Sequence, residues 1–131
     1  MKLKILILNT IIAFSFLYGC TTNSLKSGII GTLQYGEGSC LFDQSFWTYA
    51  PYTGYVHFVN SATRDTFPGS YQQLLNISDS TNVSGGNFKL KIEIGIYYLC
   101  IRNYANFSEE NKFTINPNQT TEQDFWIYKC I

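Results

Sequence analysis

The sequence predicts an all-β domain, a single seven-stranded Greek-key β-sandwich that follows a cleaved leader. Three observations predict it. Aromatic residues make up 17% of the chain, and residues that favour strands dominate beside them. Short segments that alternate apolar and polar residues recur along residues 27–131. Turn-forming residues separate those segments, and no segment reads as an amphipathic helix. Seven short strands at such spacing pack as two sheets joined by Greek-key connections.

The strands follow in order. Gly28–Tyr35 is the first, ended by Gly36-Glu37-Gly38-Ser39, after which a long aromatic loop runs to Thr53. Gly54–Asn60 is the second, with Val56 and Phe58 on the inner face and Tyr55 and His57 on the outer. Tyr71–Ile77 is the third. Asp79–Gly86 holds one apolar side chain, Val83, and reads as a turn-rich linker. Asn87–Ile94 carries the clearest pattern: Phe88, Leu90, Ile92 and Ile94 share one face, against Lys89, Lys91 and Glu93 on the other. Gly95 supplies a tight turn to the return strand Ile96–Arg102. Lys112–Asn116 and Glu122–Cys130 complete the seven, divided by the turn Asn116-Pro117-Asn118-Gln119.

Two of these segments carry a family likeness. Gly85-Gly86-Asn87-Phe88-Lys89-Leu90, followed by Ile94-Gly95-Ile96-Tyr97-Tyr98-Leu99, resembles the signature of carboxypeptidase-regulatory-like domains, which have the transthyretin-like (prealbumin-like) β-sandwich. Gly28-Ile29-Ile30-Gly31-Thr32-Leu33 is similar to the first strand of that family. Phe113-Thr114-Ile115-Asn116-Pro117 with Phe125-Trp126-Ile127 resembles its final hairpin. The likeness spans nearly all of residues 27–131, but its motifs encode turns and core positions rather than an activity. The related hydrolases of transthyretin fold use several histidines and an arginine together, whereas this chain has one histidine. The Gly36–Thr53 loop is long and aromatic where the family often has a short polar connection.

Ahead of the domain, Lys2 and Lys4 precede an apolar run from Ile5 to Leu17 and then the small residue Gly19. That is the layout of a secretory signal peptide over residues 1–19, too short for a membrane-spanning anchor. Leu17-Tyr18-Gly19-Cys20 resembles the bacterial lipobox, which implies that Cys20 is lipidated and becomes the new N-terminus. Acyl chains would hold it to a membrane leaflet through their buried methylenes. Residues 20–26 then form a lipidated tether, and 27–131 form the domain. Thr21, rather than Asp, after the cysteine resembles lipoproteins sorted to the outer membrane of Gram-negative bacteria.

With Cys20 acylated, Cys40, Cys100 and Cys130 remain in an oxidising compartment, an odd number. Cys100 lies within an apolar strand and is expected as a buried thiol. Cys40 and Cys130, one in a loop and one at the chain end, are the expected disulfide. Their spacings match no zinc pattern, and no metal or other cofactor is expected. Residues 20–131 carry a net charge of about −2 with no basic run, so nucleic acid is not an expected partner.

The polar candidates reduce to ordinary surface. His57 is expected to be an exposed strand residue without the nucleophile and acid that catalysis requires. Asp79-Ser80-Thr81-Asn82 lacks the alternating carboxylates of a calcium loop. Glu109 and Glu110 are adjacent and point apart. The distinctive cluster is apolar instead. Phe42, Phe46, Trp47, Tyr49 and Tyr52 crowd one loop, either closing an end of the sandwich or offering a recognition surface. Phe46, Trp47, Tyr49 and Tyr52 are the candidate ligand contacts. The expectation is a non-catalytic module, anchored to a membrane through its lipid, that scaffolds or contacts another envelope protein. The alternative is a glycan or peptide reader using the same rings.

Overall fold

One strand, β1 (Gly28–Gly38), organises the first of two sheets. The computed structural model describes residues 27–131; the leader, Cys20 and the rest of the tether lie outside the described residues. Along one edge β1 pairs antiparallel with β5 (Asn87–Lys91) and then with the two-residue β2 (Ala50–Pro51). Along the other it runs parallel to β8 (Thr120–Glu122) and then to β9 (Phe125–Cys130). Between β8 and β9 the ladder is broken, and side-chain chemistry repairs it. The Asp124 carboxylate accepts from the backbone N–H and the hydroxyl of Thr32, both at 2.9 Å. The detour presses the Gln123 carbonyl against Gly31, where a Cβ would collide with it. Glycine is required there by close approach.

The second sheet has the order β4-β3-β6-β7 and is antiparallel throughout. Its strands are β3 (Gly54–Asn60), β4 (Asp79–Val83), β6 (Gly95–Cys100) and β7 (Lys112–Ile115). The two inner faces bury Ile29, Leu33, Val56, Phe58, Phe88, Leu99, Phe113, Ile115, Phe125 and Ile127. Phe58 lies at the centre, its ring 5.9 Å from Phe88 and 5.8 Å from Phe113. The architecture is the expected all-β sandwich, built from nine strands among the described residues rather than seven.

Several local expectations are corrected. Tyr71–Ile77 is a helix, α2, not a strand. Ser70 and Gln73 form a reciprocal capping box at its start, and Leu74 and Leu75 form its buried side. The S-x-x-Q pattern that starts a helix outweighs the strand preference of Tyr71 and Ile77. A second short helix, α1 (Ser61–Thr66), was not anticipated; Asn60 caps it by accepting from the amides of Ala62 and Thr63. Conversely, Asp79–Val83 is the edge strand β4 and not a linker. Its polar side chains suit a position with one edge in solvent, and Val83 alone turns inward.

The connections differ as well. β5 and β6 do not form a hairpin, because Ile92–Ile94 carries the chain from one sheet to the other. The segment Phe113–Ile127, likened to a final hairpin, crosses the sandwich in the same way, from β7 to β8 and β9. Core burial changes accordingly. Phe88, Ile92 and Leu99 are buried and Leu90 is half-buried, but Ile94 leaves the core and is 58% exposed. The outer face of the second sheet is covered too. Val59, Tyr98 and Cys100 pack there against Leu74 and Leu75 of α2, with Phe67, Tyr71 and Phe107 around them.

Candidate functional site

The long loop after β1 is fastened at both ends. Cys40 and Cys130 form a disulfide with Cα atoms 5.4 Å apart, as expected, and the amide of Ile131 donates to the Gly38 carbonyl. Inside the loop, Asp43 caps a 3₁₀ turn over Gln44–Phe46 by accepting from the Ser45 amide at 3.1 Å. The loop then lies back on β9. Trp47 stacks on Tyr128 with ring centroids 4.2 Å apart and planes 3° from parallel. Tyr49 meets the same ring edge-on at 5.7 Å.

Tyr128 has a floor as well as a lid. A Cβ on Gly38 would lie 2.5 Å from the Tyr128 hydroxyl, and one on Gly36 would lie 2.9 Å from the ring. Two glycines spaced two apart on β1 therefore open a slot in which Tyr128 lies flat, and Trp47 closes it. This stack is a rigid base for the outer rings. Phe42 and Phe46 sit edge-to-face on each other at 6.3 Å and are 68% and 74% exposed. Tyr49 is 39% exposed.

The four candidate contacts thus separate. Phe46 and Tyr49 face outward. Trp47 is half-buried with its indole nitrogen fully covered, so it supports the platform more than it presents itself. Tyr52 stands apart, packing edge-on against Tyr35 at 5.8 Å and against the core, with its hydroxyl donating to the Tyr55 carbonyl at 3.3 Å. Sequence reasoning missed Trp126, which is 55% exposed on the same outer face of β9 as Tyr128. The signal was present: Phe125 and Ile127 alternate with Trp126 and Tyr128, and one pair of any half-buried strand must face out.

His57 requires a correction, since it is buried rather than exposed. It does point away from the sandwich core, but α2 covers that face, and its Nδ1 has no hydrogen-bond partner. Burial, reinforced by the charge of Arg102, lowers its pKa; the Leu75 backbone opposes this weakly. Folding therefore disfavours the imidazolium. Stability should be level above the ordinary histidine range and fall as pH drops below about 6.5, where the unfolded chain takes up the proton more readily. Urea midpoints between about pH 7.5 and 5.5 check this. The slope should shrink in His57→Leu, and a wild-type profile flat across that window would contradict it.

Cys100 is directly opposite His57 across β3 and β6, and it is the free, buried thiol expected. Burial pushes its pKa up to about 12, so the pair holds a neutral thiol beside a neutral imidazole rather than a thiolate nucleophile. Among the described residues no three of His, Cys, Asp and Glu converge on a point where a metal ion would sit. No family model, no curated protein and no solved structure matches this chain.

Proposed function

We propose that the chain is an envelope lipoprotein, lipidated at Cys20, whose sandwich presents an aromatic surface to another envelope protein. The observation that carries this is the exposure of Phe42, Phe46, Tyr49 and Trp126 on a base locked by the disulfide and the Trp47–Tyr128 stack. Large rings held in place contribute contact area at little conformational cost, which is the profile of an interface anchor. The rings project from the surface, which favours a protein partner over the glycan or peptide alternative. The described clefts are lined elsewhere, for example by Ile30–Thr32 with Glu122–Asp124.

We read the sandwich itself as transthyretin-like with a seven-strand Greek-key frame. Two points support that reading. The motif residues around Phe88 and Gly95 fall on β5 and at the entry to β6. When the short strands β2 and β8 are set aside, seven remain among the described residues. The proposed placement is the outer membrane of a Gram-negative cell.

The test is a photo-crosslinking amino acid placed at Phe46 in cells, with Asn118 as an exposed control. A discrete crosslinked partner from position 46 and not from 118 is expected. With that partner in hand, Phe46→Ala should weaken binding by about 1–3 kcal/mol and leave the melting temperature unchanged. Absence of any discrete product from positions 42, 46 and 126 would end the proposal.

A further inference from the structure

We infer that the pole of the sandwich opposite the aromatic platform rests on the lipid surface that holds the anchor, with Ile94 set into it. This rests on the proposed lipidation of Cys20. β1 fixes the geometry. Its first residue, Gly28, and its last, Gly38, stand at opposite ends of the sandwich, about 35 Å apart for an eleven-residue strand. The aromatic loop leaves from the Gly38 end, whereas the tether enters at the Gly28 end.

The entry point is pinned. The carbonyl of Ser27 accepts from the Ile92 amide at 3.4 Å, and the Ser27 hydroxyl donates to the Ile92 carbonyl at 2.7 Å. The first residue of the domain is thus tied to the crossover between the sheets, two residues from Ile94. From Cys20 to that point the chain reaches at most about 25 Å even when fully extended. This pole stays close to the bilayer that receives the acyl chains.

The side chains there suit such contact. Ile94 is 58% exposed at the crossover, Ile96 is 44% exposed at the start of β6, and Ile77 is 61% exposed at the end of α2. Ile77 belongs to this pole because it shares a cleft with Glu93 and Tyr97. Three isolated aliphatic side chains at the point of attachment have little use in water and a ready place among acyl chains. Lys89 and Lys91 of β5 and Glu122 of β8 flank the start of β1, and Asp79 and Glu93 line the neighbouring cleft, so the charge at this end is mixed. The far pole, by contrast, carries the rings. Anchor and platform then lie at opposite ends, and the platform faces away from its own membrane.

The two tryptophans give the test its reporters, since Trp47 lies on Tyr128, opposite Gly36, and Trp126 lies opposite Gln34, both nearer the Gly38 end of β1 than the Gly28 end. The lipidated protein beginning at Cys20 is reconstituted in phosphatidylcholine vesicles with and without bromine on the acyl chains. Emission from Trp47 and Trp126 should be unchanged by bromine. In Ile94→Trp the added emission should be blue-shifted and lost on bromination, and Ile77→Trp gives a second reporter should the first variant misfold. Quenching of the native tryptophans, or none at both new positions, would overturn the inference. Failure of the anchoring reading shows separately, as a protein whose intact mass carries no acyl chains and which does not join the vesicles.

Discussion

Phe88→Ala should remove about 3–5 kcal/mol of folding stability, a large share of the total for a domain of this size. Phe88 is 4% exposed and links the two sheets. Its ring is 5.9 Å from Phe58 in the second sheet and 6.1 Å from Phe125 in its own. On its strand it is also paired with Gly31, the residue that admits the Gln123 carbonyl. Truncation leaves a hole between rings on β3 and β9, and neither sheet can collapse into it without moving that detour. The comparison of urea midpoints at constant slope measures the loss. A cost below about 1 kcal/mol would mean that the cavity closes and that Phe88 is not central.

Replacing Cys40 and Cys130 together by serine should cost about 2–5 kcal/mol, because the bridge closes a loop of 90 residues and restricts the unfolded chain. Both cysteines lie at the surface, so the loss comes from released chain freedom rather than from a cavity. A local effect should accompany it. Without the bridge, Leu41–Trp47 is held mainly by the stack on Tyr128, and Trp47 fluorescence should report release of the loop at a lower urea concentration than the global transition. Equal midpoints for the oxidised protein and the double variant would show that the bridge adds nothing. Non-reducing peptide mapping decides whether it forms.

Much of the strand content was legible because alternation exposes it. Asn87–Lys91 and Phe125–Cys130 declare their inner faces, and the Cys40–Cys130 pairing followed from leaving Cys100 in an apolar strand. What alternation does not encode is the sheet in which the next strand will pair. Gly95 and the Asn116–Gln119 turn mark bends correctly, but each bend turned out to be a crossing between sheets. Alternation is equally silent about cover. It placed His57 on the outer side of β3 correctly, yet exposure depended on α2, some fifteen residues further on, whose capping box was written in Ser70 and Gln73. The aromatic loop was visible as composition; its division into supports and presented rings depended on Gly36 and Gly38, which read from sequence as strand breakers. In the fold they are the floor beneath Tyr128.

The mixed pairing of β1 also sets the order in which this protein can be completed. Among the described residues β1 is the first strand to emerge from a chain made from its N-terminus, and the parallel partner along its second edge, β9, is the last. Few of its contacts are local, so closure must wait for distant segments, the condition under which folding is slow. Until Phe125–Cys130 arrives, one side of β1 offers unpaired amides and carbonyls beside uncovered Ile29 and Leu33, a template for pairing with another chain. The newborn domain is therefore most vulnerable to aggregation late in synthesis, and a truncation that removes only its last strand is more hazardous than its small size suggests.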